Sequence, residues 1–137
     1  MTSSIRIGGL ADIDPVLRLW VRAGAQPSRT DDAGGLRDLI EHEGSVLLVA
    51  EDGAALVGSV IAGWDGWRGS VYRLVVDPTH RRRGLGDRLV AAAESHLHAV
   101  GAVRLAAVVV ETDSLATAFW MVSGWERQDH RLRFVKD

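Results

Sequence analysis

One stretch restricts the fold of this 137-residue chain more than any other: Tyr72 to Leu89, reading YRLVVDPTHRRRGLGDRL. An apolar run suited to a strand ends at Asp77-Pro78, since proline lacks the donor that a strand ladder needs. Arg81, Arg82 and Arg83 follow, and Gly84-Leu85-Gly86 then opens an apolar pattern of helical spacing. A strand that feeds a basic, glycine-containing turn at a helix N-terminus is a device for holding a polyphosphate. The first N–H groups of a helix have no partner within it, and they lie at the positive end of its dipole. Glycine removes the Cβ that would hold a bulky anion away, and arginine adds forked donors for phosphate oxygens.

The rest of the sequence places this turn in a mixed α/β domain. Residues 5–9 read as a short strand. Asp12 or Asp14 caps a helix to about Ala23, with Ile13, Leu17, Trp20 and Val21 as its apolar stripe. A Gly/Pro/Ser-rich loop (24–35) leads to a short helix, Leu36 to His42. The period then changes to that of strands: Ser45–Glu51, a turn at Asp52-Gly53, Leu56–Trp64 and Ser70–Asp77. Gly58 marks a bulge or a close-packing point. Leu85, Leu89, Ala92, Ala93, Leu97 and Val100 form one helix face, with Gly101 as the stop. Val103–Val110 reads as a strand covered on both faces. Asp113 or Ser114 caps a last helix to Val122, and 125–127 with 131–135 suit a terminal hairpin. One domain spanning 1–137 is expected.

Composition narrows the chemistry. There is no cysteine, so disulfides, thiolate metal sites and a cysteine-bound intermediate are excluded. The five histidines have no metal-ligand spacing, and no metal is expected. A net charge of −2 gives no global attraction to nucleic acid or to an anionic membrane. The basic run at 81–83 is too short to reverse that. No apolar run approaches the ~20 residues of a membrane span, and the N-terminus has no signal pattern. A cytoplasmic protein is the expectation.

Among glycine-rich phosphate motifs, a P-loop requires Gly-Lys-Ser/Thr, which the chain lacks. A dinucleotide fingerprint requires a third glycine at position 89, which is leucine. Arg81-Arg82-Arg83-Gly84-Leu85-Gly86 instead fits Arg/Gln-x-x-Gly-x-Gly. Preceded by Leu74-Val75-Val76-Asp77-Pro78, it resembles the GNAT superfamily of CoA-dependent N-acetyltransferases. Asp113-Ser114-Leu115-Ala116-Thr117-Ala118-Phe119-Trp120-Met121-Val122-Ser123-Gly124-Trp125 matches a second motif of that family in outline, and the turn at residues 63–69 looks like a branch of small bacterial members.

The resemblance implies a mixed, centrally splayed sheet flanked by helices, and direct acetyl transfer from acetyl-CoA to an amine. The amides of residues 82–87, among them Arg83, Leu85 and Asp87, would grip the pyrophosphate. The strand at Leu74, Val75 and Val76 would line the pantetheine arm, with a backbone N–H near Val76 facing the thioester oxygen. Two positions depart from the family. Trp120 replaces the tyrosine that serves many members as general acid, and an indole N–H does not release a proton near neutral pH. Asp113 replaces an asparagine and loses its amide donors. Glu111 is the first candidate for general base and Asp65 the second. Trp64, Trp67, Arg68 and Tyr72 form the candidate acceptor site, suited to a partly apolar amine that also carries a carboxylate. A homodimer is common in the family, and nothing in the sequence compels one.

Overall fold

The structure is a computed structural model that describes residues 3–109 and 113–137. The chain divides into two compact units, residues 1–107 and residues 108–137.

The first unit is built on five strands in the order β1-β2-β3-β4-β5: β1 (Ser4–Ile7), β2 (Val46–Asp52), β3 (Ala55–Trp64), β4 (Gly69–Val76) and β5 (Leu105–Ala107). The first four are antiparallel to their neighbours, and β5 runs parallel to β4. Alternation along β2 sends Leu47 and Val49 to one face of the sheet, Leu48 and Ala50 to the other. On the first face they meet α1 (Ile13–Arg22) and α2 (Ala33–Glu41) in a core with Ile13, Val16, Leu19, Trp20, Leu36, Ile61 and Val75. On the other face lies α3 (Leu85–Val100), which buries Leu85, Leu89, Val90, Ala93 and Leu97. Gly58 is a contact point for that helix. A Cβ there would come within 2.9 Å of the Leu89 side chain. It also lies beside a register shift in the β2–β3 ladder, so the sequence marked both features of the site.

The stripe of α1 differs from expectation. Val16 and Leu19 are fully buried, Leu17 is partly buried, and Val21 is 82% exposed. Asp12 stands at the N-cap position of this helix, but its side chain makes no capping bond there. Its carboxylate takes two bonds from the Arg6 guanidinium, both 2.8 Å, and one from the Gly9 N–H, also 2.8 Å. The Arg6 pairing lowers its pKa. Asp32 caps α2, accepting from the Gly35 N–H at 2.7 Å, so that helix starts three residues before the expected Leu36.

The covered strand expected at Val103–Val110 is reduced to Leu105–Ala107. Val103 precedes it at 93% exposure, and Val110 lies outside the described residues. Among the described strands β5 has one neighbour, so it lacks the two-sided cover that its apolar composition suggested.

The second unit holds α4 (Ser114–Val122), capped by Asp113, whose Oδ1 accepts from the Ala116 N–H at 3.0 Å. The hairpin expected from residues 125–127 and 131–135 is not formed. Leu132, Phe134 and Val135 are exposed there, and a two-stranded ribbon without a covered face has little stability of its own.

Candidate active site

The site begins where β4 leaves its neighbours. Its pairing with β5 covers Gly69, Ser70 and Val71 and stops there. On the other side, Tyr72 pairs with Ile61 and Val75 with Ser59, so Arg73 and Leu74 stand opposite the single residue Val60. This is a β-bulge, with Arg73 in the left-handed region at φ 52°. The extra residue changes which side chains face inward. Ser70 and Tyr72 share one face. Past the bulge that face belongs to Val75, which is buried, while Leu74 and Val76 are half-buried. Leu74 and Val76 therefore stand outside the core. They sit on the stretch of β4 that has run beyond its pairing with β5.

Polar groups hold this geometry. The buried Ser59 hydroxyl donates to the Arg73 carbonyl at 3.3 Å and accepts from the Trp20 indole N–H at 2.8 Å. At the strand end Asp77 is almost enclosed. Its Oδ1 accepts from the Thr79 N–H (3.0 Å) and hydroxyl (2.8 Å), and its Oδ2 from Arg22 Nε (2.8 Å). The Thr79 amide chiefly, with the Thr79 hydroxyl and Arg22, pulls the Asp77 pKa down to about 2 against the cost of burial. Asp77 thereby starts the short 3-10 turn Pro78–His80 that aims the chain at α3. The His80 side chain is largely shielded. It bridges the Thr79 hydroxyl (2.9 Å) and Asp52 (2.8 Å).

The turn that was expected to hold a phosphate follows directly. Gly84 stands at φ 77° as the cap of α3, with open space where a Cβ would point. The ladder of α3 begins with the Arg88 N–H bonding to the Gly84 carbonyl at 3.1 Å, which leaves the amides of Leu85 and Gly86 without an intrahelical acceptor. The three arginines separate by role. Arg81 turns back to the Val76 carbonyl (3.2 Å) and the Ala23 carbonyl (3.4 Å), so its guanidinium braces the strand end. Arg82 and Arg83 are exposed, and their guanidiniums have no hydrogen-bond partner among the described residues. Arg82 also has a positive φ, 63°.

A second feature lies at the far end of β3 and β4. Ser45, Gly63, Trp64, Asp65, Arg68, Ser70 and Tyr72 line an open recess of about 170 Å³. It contains three of the four expected acceptor residues. Trp67 stands outside it, 70% exposed, with the Arg68 guanidinium 4.2 Å from its ring centre. Buried Ser45 fixes Trp64 by accepting its N–H at 2.8 Å. Asp65 is committed to its own turn. One oxygen accepts the N–H groups of Arg68 (2.6 Å) and Trp67 (2.8 Å), and these bonds lower its pKa. A carboxylate with a depressed pKa is a weaker base, which counts against Asp65 in that role. Glu111 lies outside the described residues.

In the second unit, Trp120 packs edge-on against Phe119 (5.6 Å between ring centres) and Trp125 (4.8 Å). Asp113 is occupied as the helix cap. Among the described residues no group of His, Asp and Glu side chains is arranged to hold a metal ion, and no helix is long and apolar enough to cross a membrane.

The arginine, serine and bulge that shape the β4 edge were not legible as site residues. Ser59 gave one signal, a lone hydroxyl in an apolar strand. Arg73 gave none, because no glycine or asparagine marks its left-handed backbone.

A strand that runs past its pairing with one neighbour and leads to a glycine turn at a helix start is the arrangement that the resemblance to CoA-dependent transferases implied. The comparisons agree. Residues 14–125 match the model of the Acetyltransferase (GNAT) family, and the chain belongs to that family. It is 33% identical over 125 residues to an acetyltransferase of Yersinia enterocolitica, covering 91% of this chain and 89% of that one. In fold it is similar to the PaiA N-acetyltransferase of Thermoplasma acidophilum, solved with coenzyme A (TM-score 0.82, 17% identity, 96% of this chain and 94% of that one). It is also similar to an aminoglycoside 6′-N-acetyltransferase of Acinetobacter haemolyticus (TM-score 0.80, 17% identity, 98% of each chain).

Proposed function

We propose that this protein transfers the acetyl group of acetyl-CoA directly to the primary amine of an acceptor that also carries a carboxylate. The observation that carries the reading is the continuity of the β4 bulge, the strand edge it leaves unpaired by β5, and the open glycine turn at the start of α3. The turn suits a pyrophosphate: the amides of residues 82–87 supply donors, while Arg82 and Arg83 supply charge. The freed edge at Leu74–Val76 suits an extended amide-bearing arm, which pairs as a strand would. The Val76 N–H is the proposed donor to the thioester oxygen.

Glu111 is the proposed general base that takes the amine proton. Proton delivery to the leaving sulfur does not require Trp120, because a thiol with a pKa of about 8.5 departs readily as thiolate. Loss of a general acid costs rate, typically ~10²–10⁴-fold, without abolishing reaction.

The acceptor class follows from the recess. Its cation is Arg68, and its carboxylate, Asp65, is turned into hydrogen bonds with the backbone. The forked donors of Arg68 suit an anionic group beside Trp64 and Tyr72, as in an amino acid or a short peptide. The test is thiol release from acetyl-CoA with amino acids, peptides, polyamines and an aminoglycoside. Release with carboxylate-bearing amines, and little with their methyl esters, supports the reading. Bound acetyl-CoA with no thiol release across that panel overturns it.

A further inference from the structure

Arg73 joins two parts of the first unit that the sequence separates. Its backbone forms the left-handed step of the β4 bulge. Its side chain crosses to the loop between α1 and α2. There Nε donates to Asp31 Oδ1 at 3.1 Å, one terminal nitrogen donates to Asp31 Oδ2, and the same nitrogen donates to the Gln26 carbonyl at 2.7 Å. The guanidinium carbon stands 5.4 Å from the Trp20 ring centre, and Trp20 is the residue that anchors Ser59 to the Arg73 carbonyl. Asp31 in turn accepts the Ser28 N–H at 2.9 Å, so the loop closes on itself around the arginine. Both members of the pair are largely shielded, with side chains 20% and 16% exposed.

A left-handed arginine backbone is unfavourable without compensation. Here it is compensated from both ends. Ser59 holds the carbonyl, and Asp31 with Gln26 holds the side chain. We propose that Arg73 is a positioning residue. Its side chain latches loop 23–32 to the β4 bulge, and the latch keeps the bulge in the form that offers Leu74–Val76 to acetyl-CoA. This rests on reading that edge as the donor site.

Two substitutions separate the latch from the strain. Arg73→Ala removes the latch and keeps the backbone penalty. Arg73→Gly removes the latch and also the penalty, since glycine enters the left-handed region freely. If the bulge needs the latch, its population falls in the alanine variant, and binding weakens in proportion. Calorimetry with acetyl-CoA should then show about tenfold weaker binding for Arg73→Ala, with Arg73→Gly within about threefold of the parent. In both variants, and in Asp31→Asn, hydrogen exchange of amides in residues 26–32 should quicken at least about tenfold. Equal acetyl-CoA affinity in the alanine and glycine variants overturns the coupling to the bulge. Parent-like exchange in Arg73→Gly overturns the latch. Failure of the parent protein to bind acetyl-CoA would refute the donor-site reading instead, and the exchange arm would still judge the latch.

Discussion

Replacing Asp77 with asparagine tests how the end of β4 is held. The carboxyl falls from an ordinary value of 3.8 to about 2. A depressed acid is bound less tightly by protons in the folded state than in the unfolded one. Its stabilisation is therefore complete above pH 3.8 and is lost as pH drops towards 2. A fall of that size corresponds to about 2.4 kcal/mol. Arg22 is half exposed, and screening there reduces the expected total to about 1–2 kcal/mol. The Thr79 N–H is the largest single contributor and Arg22 only one of several, so Arg22→Met should cost less than Asp77→Asn costs. The assay is urea unfolding followed by tryptophan fluorescence at a series of pH values. Asp77→Asn should be about 1–2 kcal/mol less stable than the parent at pH 7. The gap should narrow below pH 3.8 and close near pH 2. A gap that stays constant with pH would refute the charge argument, and no gap at pH 7 would refute the stabilisation itself.

Ser59→Ala leaves the buried Trp20 indole N–H and the Arg73 carbonyl short of a partner. It should lower unfolding stability by about 1–3 kcal/mol, read by the same urea experiment. Removing both free guanidiniums, with Arg82→Ala and Arg83→Ala together, should weaken acetyl-CoA binding by about tenfold or more and flatten its dependence on salt in calorimetry. Arg81→Ala should instead show mainly as a loss of thermal stability, because its guanidinium serves the Val76 and Ala23 carbonyls. Arg68→Ala should raise KM for a carboxylate-bearing acceptor by about tenfold in steady-state assays, with kcat little changed. Trp120→Tyr should raise the rate of thiol release, by up to ~10²-fold, if its hydroxyl reaches the leaving sulfur.

Particular residues explain why reading the sequence succeeded where it did. The helix opened by Gly84 and closed by Gly101, and the strands around Asp52-Gly53, are set by local chemistry, namely turn residues, caps and period. The recess residues Trp64, Asp65, Arg68 and Tyr72 were visible because one tight turn brings them together. Expectations failed where a residue's environment depends on distant partners. Val21 fits a helical stripe as well as Val16 does, yet only packing against the sheet chose between them. Val103–Val110 has the composition of a covered strand, but among the described residues its pairing covers Leu105–Ala107. Asp12 reads as a cap and serves as the partner of Arg6.

The same division separates the donor site from what holds it. The order of elements, the glycine turn and the basic run are contiguous along the chain, so they could be read from residue types alone and pointed to the family. The splay of β4 was expected from the family resemblance, but the residues that form it could not be read from their types. It arises from an extra residue at Arg73 facing Val60, a hydroxyl on β3, an indole on α1 and a carboxylate in the loop after it. Ser59 and Asp31 lie 14 and 42 residues from Arg73, and Trp20 lies 39 residues from Ser59. Folding sets each of them against the bulge, and a left-handed arginine is stable only in their company.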